Sequence, residues 1–370
     1  MVRAAFYGDD FTGSVDALLQ FRRAGLSGVL VTDPEIPVPE GVHDVIGIAG
    51  VARSLPTRAL ADEVVPALRR LRDLRPAVVQ YKVCSTADSS PEIGSIGRVI
   101  ELAQDLFAPA PVPIVFAQPD FGRYTFFGHQ FARDGDAVYR LDRQPTMMSH
   151  PVTPADESDL RLHVARQTAL RIGSVHWPDL NAAALNEAEA AAVVCDAFTD
   201  EHLDRIAATV LADEPRPRFV VSSGGLSGAL GRLLDIGDRM PLPATVTAAA
   251  GPTLVLNGSR SALTRRQIAA AGADVVVHSS GSADRLAELA DAGLRQNPKT
   301  RLIVCGGDTS GAVLRQLGVQ TLEITSQPWG NVVLCRATAN ELGEFEVVVK
   351  GGQMGHLELF EDVKHGRRRC

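Results

Sequence analysis

Residues Ala4–Arg23 read AAFYGDDFTGSVDALLQFRR. The segment opens with a short apolar run, Ala4–Tyr7, and passes a turn in which Gly8 and Gly13 flank the acid pair Asp9 and Asp10. It then enters Val15–Arg23, whose apolar residues recur at helical spacing. Strand, glycine turn, helix is the unit from which parallel sheets are wound. The unit repeats along the chain. Apolar runs follow at Val29–Thr32, Val45–Ala49, Val78–Lys82, Ile114–Ala117, Val193–Phe198 and Phe219–Ser222. Four more stand at Thr253–Leu256, Val275–His278, Leu302–Cys305 and Glu346–Val349. Between them lie stretches such as Leu60–Leu74 (LADEVVPALRRLRDL), with apolar residues three and four apart. The pattern predicts an α/β protein with mostly parallel sheets flanked by helices, and the alanine-rich Ala182–Ala192 predicts a further helix.

The chain has 370 residues, more than one core usually organises, so two domains are expected. Asp235–Pro252 (DIGDRMPLPATVTAAAGP) holds three prolines, lacks apolar periodicity and is followed at once by a new strand, as a linker would be. The expected division is residues 1–235, a linker over 236–252, and residues 253–370, each domain carrying its own sheet. Lys and Arg number 37 against 44 Asp and Glu, a net charge of −7. With no basic tract, nothing marks a nucleic-acid backbone as partner. MVRAAFYGDD lacks the charged-then-apolar pattern of a signal peptide, and no apolar run reaches about 18 residues, so a cytoplasmic protein is expected. The five cysteines (Cys84, Cys195, Cys305, Cys335, Cys370) show no CxxC, and the nine histidines no HxH or HExxH, so zinc is not expected.

In open α/β sheets ligands bind past the carboxyl ends of strands, and four such ends carry chemistry. Asp9 and Asp10 follow the first strand, where two carboxylates would orient a hydroxyl, accept a proton or hold a cation; one of them would equally serve as a helix N-cap. Lys82-Val83-Cys84-Ser85-Thr86-Ala87-Asp88-Ser89-Ser90 sets a lysine before a hydroxyl-rich loop, a small-anion site or a solvated turn. Arg53, after Val45–Ala49, adds a possible bidentate partner for a carboxylate. Cys305-Gly306-Gly307-Asp308-Thr309-Ser310-Gly311 leads into the helix-like Ala312–Leu317, a turn whose backbone N–H groups suit a phosphate. It is neither a Walker A nor a GxGxxG motif. Lys350-Gly351-Gly352-Gln353-Met354-Gly355 and Asn257-Gly258-Ser259-Arg260-Ser261 occupy corresponding strand ends. Three glycine-bearing ends in one half of the chain predict convergence on a nucleotide's phosphates. Tyr124, Phe126 and Phe127 are expected in the core. Ser222–Gly228 lacks GxSxG, which excludes a serine-hydrolase elbow.

The order of these motifs resembles the four-carbon acid sugar kinases. YGDDFTGSVDAL, YKVCSTADSSPEIGSIG (Tyr81–Gly97), QPDFGRYTFFGH (Gln118–His129) and HPVTPADESDL (His150–Leu160) carry the resemblance in the first half. NGSRSALTRRQI (Asn257–Ile268), CGGDTSGAVLRQLG (Cys305–Gly318) and KGGQMG (Lys350–Gly355) carry it in the second. The last differs from the Lys-Ser-Gly-Asn-Phe-Gly common in the family. The resemblance implies an acid-sugar-binding domain, an ATP-binding domain and an active site in the cleft between them, with Mg2+ accompanying ATP. It implies substrate contacts at Asp9 or Asp10, Arg53, Lys82, Ser85, Asp88 and Ser89. It implies nucleotide contacts at Ser259, at Gly306, Gly307, Asp308, Thr309, Ser310 and Gly311, and at Gly351 or Gly352.

The expected reaction is in-line transfer of the ATP γ-phosphoryl group to a hydroxyl of a tetronate, an oxo-tetronate or a branched oxo-acid such as 3-oxo-isoapionate. Asp9 or Asp10 would be the catalytic acid-base group, Arg53 and Lys82 would hold the carboxylate, and Asp308 would stand on the magnesium side. The metal ligands stay unassigned, and a homodimer is the assembly considered. A nicotinamide-dependent hydroxy-acid dehydrogenase and a non-catalytic sugar-acid sensor are the alternatives.

Overall fold

The structure is a computed structural model that describes residues 2–181, 184–185, 189–212, 216–234 and 238–368. Part of the expected helix Ala182–Ala192, the start of the linker and Cys370 lie outside the described residues. Ala192 itself opens a strand.

The strands are β1 (Ala4–Gly8), β2 (Gly28–Val31), β3 (Val45–Ala49), β4 (Val78–Lys82), β5 (Val112–Val115), β6 (Arg123–Phe126), β7 (His129–Asp134) and β8 (Ala137–Arg140). They continue with β9 (Ile172–Val175), β10 (Ala192–Cys195), β11 (Arg218–Ser222), β12 (Thr253–Asn257), β13 (Val275–Ser279), β14 (Arg301–Cys305), β15 (Val319–Trp329), β16 (Val332–Ala339) and β17 (Gly343–Lys350). The expected apolar runs coincide with strands to within a few residues. All five residues of β1, β3 and β4 are buried, as strands covered on both faces must be.

Two separate sheets were expected, and here the structure corrects the sequence. One 14-stranded sheet runs β13-β12-β14-β17-β16-β15-β2-β3-β1-β4-β11-β5-β10-β9. Two parallel blocks, β13-β12-β14-β17 and β2-β3-β1-β4-β11-β5-β10-β9, are joined through the antiparallel strands β16 and β15, and the pair β15–β2 closes the seam with Thr321 opposite Val31 and Leu322 opposite Leu30. The physical reason is the edge of the first half. Without β15, strand β2 would expose its unpaired backbone groups. The Thr32 N–H donates to Gln320 O at 3.0 Å and its hydroxyl to Val319 O at 2.6 Å, extending the join. The apolar core also continues across the seam. At Gly311, in the helix Gly307–Gln316, an added Cβ would lie 3.3 Å from the Phe11 ring of the helix Phe11–Arg23.

Residues 238–252 form no helix or strand but are tied to both halves. Met240 N–H donates to Gly25 O and Ala249 N–H to Lys364 O, each at 2.8 Å. A small antiparallel sheet, β6-β7-β8, stands apart from the main one. It overturns the core placement of Phe126 and Phe127, which are 41% and 48% exposed at the tip of the β6–β7 turn. The Asp196 carboxylate accepts the N–H groups of Phe127 and Gly128 at 2.7 and 2.8 Å, and this holds the turn open to solvent. Tyr124 is half-buried on β6, its hydroxyl accepting from Arg133 Nη2 at 3.1 Å.

Candidate active site

The carboxyl ends of β1, β3 and β4 bring Asp9, Arg53 and Lys82 together. Asp9 N–H donates to Lys82 O and Arg53 N–H to Asp9 O, both at 3.0 Å, so the three backbones are stitched before any side chain acts. Arg53 presents its fork to Asp9, Nε to Oδ2 at 3.1 Å and Nη2 to Oδ1 at 2.6 Å. Its third nitrogen, Nη1, lies 2.9 Å from Asp10 Oδ2. The bidentate partner of Arg53 is therefore Asp9, and two further N–H groups remain on its terminal nitrogens for a ligand.

Burial pushes the Asp9 carboxyl up to about 6, with Asp10 adding to the shift and Arg53 and Lys82 opposing it. Burial works against the Arg53 charge, but Asp10 and Asp9 outweigh it and hold the guanidinium protonated. Asp10 performs both functions the sequence allowed. Oδ1 caps the helix Phe11–Arg23 by accepting Gly13 N–H at 2.7 Å, and Oδ2 is turned toward Arg53 and the other half of the molecule. Lys82 Nζ donates to Val83 O at 3.0 Å and stands 3.7 Å from Asp16 Oδ2, which in turn accepts from Gln118 Nε2 at 3.3 Å. An added Cβ on Gly13 would fall 3.2 Å from Lys82 Nζ and 3.5 Å from Arg53 Nη2. Two cations and, nearest of all, the capping oxygen of Asp10 thus converge over a residue with no side chain.

Across the loop after β4, Asp88 accepts from the Thr153 hydroxyl, and Thr153 N–H donates to His150 Nδ1 at 3.1 Å. That bond fixes Nδ1 as acceptor, so neutral His150 carries its proton on Nε2. Ser89 sits elsewhere: its hydroxyl donates to Ala87 O at 3.0 Å and accepts from Gln167 Nε2 at 2.9 Å, inside the fold.

On the opposite side, β12, β14 and β17 are neighbours in register, Asn257 opposite Cys305 and Cys305 opposite Lys350, so their three glycine-bearing ends lie side by side. Gly306 at φ +114 breaks the chain out of β14, a conformation L side chains rarely adopt. The helix Gly307–Gln316 then starts with no side-chain cap, leaving its first N–H groups open. Thr309 packs against the Asn257–Ser259 turn, where a Cβ on Gly258 would fall 2.0 Å from its hydroxyl. The loop after β17 is fastened from the helix Ala262–Ala269: Thr264 Oγ1 donates to Gly352 O at 2.9 Å and Gln267 Nε2 to Met354 O at 3.1 Å. Lys350 is turned inward, its Nζ donating to Thr264 Oγ1 at 2.9 Å. The Ser259 hydroxyl accepts from Ser261 N–H at 3.2 Å, and a Cβ on Gly352 would lie 2.5 Å from it. Ser310 Oγ bonds back to Gly306 O at 2.7 Å and is fully buried.

The two sides face each other across a cleft of about 660 Å³. Of the residues singled out in the sequence, Asp10, Arg53, Lys82, Ser85 and Asp88 line it from the first half, and Gly307, Asp308 and Gly351 from the second. Asp9 and Gly311 line an adjoining cavity of about 380 Å³ that shares Asp10, Gly307 and Asp308 with the cleft, and Ser89, Ser259, Gly306, Thr309, Ser310 and Gly352 line neither. Thr12, Asp16, Gln118, Arg123 and His150 also line the cleft, and sequence reasoning singled out none of them as a site residue. Thr12 and Asp16 are four residues apart on the helix that Asp10 caps, which is the periodicity that would have flagged them. Burial pushes the Asp308 carboxyl up, and Asp10 adds to it. At the cleft the halves approach each other at Gly307, where an added Cβ would fall 2.8 Å from Asp10 Oδ2 and 3.7 Å from Thr12 Oγ1.

Comparison with known proteins matches both halves. A sugar-binding N-terminal domain family covers residues 4–230, and a nucleotide-binding C-terminal domain family covers residues 274–360. The chain is 32% identical to the 3-oxo-isoapionate kinase of Paraburkholderia graminis, over 98% of this chain and 94% of that protein. It is 28% identical to the 3-oxo-tetronate kinase of Pseudomonas fluorescens, over 95% of this chain and 94% of that protein. Among solved structures, a Salmonella typhimurium LT2 protein described as a tRNA synthase superimposes with a TM-score of 0.80 at 22% identity, covering 98% of each chain. A Bordetella bronchiseptica protein with bound citrate, a domain-swapped dimer, gives 0.52 at 24% identity over 99% of each chain. These two likenesses are of fold.

Proposed function

The chain belongs to the four-carbon acid sugar kinase family, and from that premise we propose that its cleft moves the γ-phosphoryl group of ATP onto a hydroxyl of a 3-oxo sugar acid of four or five carbons. The observation that carries this reading is the approach of Gly307 to Asp10. An uncapped helix N-terminus, suited to phosphate, there faces a buried acid flanked by two cations, suited to a hydroxy acid.

The substrate carboxylate lies over Gly13, between Lys82 Nζ and the remaining N–H groups of Arg53. Asp9 is a positioning residue that aims Arg53. Asp10 Oδ2 takes the proton of the attacking hydroxyl, because it alone of the acid pair faces the cleft. Asp88, Thr153 and His150 form the far wall, where the His150 Nε2–H is placed to donate to an oxo or hydroxyl oxygen. The open N–H groups at Gly307 receive the phosphates. Phosphoryl transfer needs mainly positioning and charge neutralisation, and these groups supply both. Asp308, an exposed carboxylate that lines the cleft at the start of the uncapped helix and across from Asp10, would hold a magnesium ion. When bound with ATP, that ion would neutralise charge on the phosphates. We further propose that residues 236–252 divide the sugar-acid half from the nucleotide half.

The test is ATP turnover with magnesium against 3-oxo-tetronate, 3-oxo-isoapionate, erythronate and threonate, followed by ADP release and by phosphorus NMR of the product. Acid-dependent ADP release with a new phosphomonoester signal is expected for at least one oxo-acid. Binding of acid and ATP without turnover on any of them would sink the kinase reading and leave a sensor.

A further inference from the structure

Thr12 is the second residue of the helix Phe11–Arg23, two places after the capping Asp10. Its hydroxyl is buried and has no hydrogen-bond partner among the described residues. Such a group costs the fold free energy, because it gives up water and gains nothing in return. A threonine that packed only through its methyl would be served better by valine. The surroundings of Thr12 are equally specific. Gly307, which starts the uncapped helix, turns its bare face to Thr12: an added Cβ would lie 3.7 Å from Oγ1. Gly351, on the neighbouring loop, turns its bare face to the Thr12 methyl, again at 3.7 Å for an added Cβ. Asp10 Oδ2 completes the enclosure, 2.8 Å from the same missing Cβ of Gly307.

We propose that the Thr12 hydroxyl is a catalytic residue that donates a hydrogen bond to the phosphoryl group while it is in transfer. The inference rests on the kinase reading above and adds to it a donor beside the path. In the step, the bond from the γ-phosphorus to the β,γ-bridging oxygen breaks and its electron pair leaves with ADP. A bond forms between the γ-phosphorus and the substrate oxygen, and the proton of that hydroxyl passes to Asp10. The equatorial oxygens of the phosphoryl group sweep from the Gly307 side toward the Asp10 side. Thr12 Oγ1 stands beside both, 3.7 Å from the missing Cβ of Gly307 where Asp10 Oδ2 is at 2.8 Å, so its donor is satisfied only while the group passes. A donor that meets its acceptor in the transition state and not in the resting fold raises kcat rather than tightening KM.

The test compares Thr12→Val and Thr12→Ser with the parent enzyme in kcat, both KM values, thermal midpoint, and affinity for ADP and for ADP with aluminium fluoride, a mimic of the phosphoryl group in flight. Thr12→Val is expected to lose about 10²-fold in kcat, the usual effect of removing one transition-state donor. Its KM values should stay within about threefold, since ground-state contacts are untouched. Its thermal midpoint should be equal to or above the parent's, because an orphaned hydroxyl has been removed. It should bind ADP normally and lose at least about tenfold for ADP with aluminium fluoride. Thr12→Ser should restore most of kcat. Parental kcat in Thr12→Val overturns the proposal, as does a lowered midpoint that tracks the activity loss, or a serine variant as slow as the valine one. If the parent enzyme phosphorylates no acid, the kinase reading has failed. If the parent is active and Thr12→Val equally so, only the role of Thr12 has failed.

Discussion

The ends of β1 and β14 are the same structural unit put to opposite uses. Each strand stops at a glycine and runs through a short turn into a helix. After β1 the turn is acidic, and Asp10 caps its helix with one oxygen while the other serves the cleft. After β14 the turn is glycine-led, and Gly306 at φ +114 leaves the helix Gly307–Gln316 without a side-chain cap. The difference fits the ligand proposed for each. A phosphate has many acceptors and is read by backbone N–H groups, which a capping side chain would occupy. A hydroxy acid offers a carboxylate and an ionisable hydroxyl, so it is read by side-chain charges. Each turn is therefore recognisable by what it withholds from its own helix.

The harshest way to break the comparison is Asp10→Asn. Asparagine keeps the cap, since its carbonyl still accepts Gly13 N–H, but removes the charge on the cleft side. We expect kcat to fall about 10³-fold with a nearly unchanged thermal midpoint, the loss typical of a general base. Steady-state kinetics beside calorimetry would check this. Near-parental turnover would mean that capping is all Asp10 does.

Gly307→Ala attacks the other turn. The new Cβ would stand 2.8 Å from Asp10 Oδ2, closer than real Cβ contacts come, so the two helix starts must separate. The expected result is a fall of about 10²-fold in kcat/KM for ATP, as misplacement by a fraction of an ångström in a positioned site produces. The fold should not suffer, because alanine favours a helix by about 1 kcal/mol over glycine. A variant that uses ATP normally would show that the contact is not the transfer path.

The pH dependence probes the acid turn more gently. Asp9 titrates at about 6, because burial raises it. Below that pH it becomes neutral and no longer holds the Arg53 fork by charge. Activity should therefore fall by roughly tenfold per unit as pH drops below about 6. The sign for stability is opposite. A carboxyl raised on folding binds its proton more tightly in the folded state, so between the ordinary carboxylate range and about 6 acidification favours the fold at this group. Asp9→Asn should lower activity at neutral pH and flatten the acid limb. An acid limb that survives in this variant would assign it to another group.

What the sequence revealed follows from the same contrast. Strands buried on both faces are continuous apolar runs, so β1, β3, β4 and β14 were legible as they stand. Strand β15, VQTLEITSQPW, alternates buried and half-buried residues, and so escaped a search for runs. The same holds for β6–β8, whose residues are mostly polar. The join of β15 to β2 rests on a pairing between distant segments that no local pattern encodes, and with it went the continuity of the sheet. Of the chemically conspicuous residues, Asp10, Arg53, Lys82, Gly307 and Gly351 are brought to the cleft. Thr12 was not singled out because its unpartnered hydroxyl is visible only in the assembled seam.

The smallest expected effect separates two kinds of residue inside the glycine turn. The motif GGDTSG reads as a uniform phosphate loop, and its resemblance to known nucleotide contacts extends through Ser310. In the fold the Ser310 hydroxyl bonds back to Gly306 O at 2.7 Å, on the buried face of the helix, and does not line the cleft. Its work is to hold the carbonyl of the residue that breaks out of β14, so that the open N–H groups of Gly307 and Asp308 point the right way. Ser310→Ala should therefore cost about 1 kcal/mol of stability, the net value of one hydrogen bond, while Gly306 O keeps the backbone N–H of residue 310 at 2.9 Å. KM for ATP should stay within about twofold if ordering the turn does not depend on that bond alone. Denaturant unfolding together with ATP-dependent kinetics separates the outcomes. A large rise in KM at unchanged stability would put the hydroxyl on the nucleotide, and the acid turn and the glycine turn would then differ less than their caps suggest. Loss of stability alone keeps the distinction: in this turn the backbone meets the phosphate, and the side chains hold the backbone.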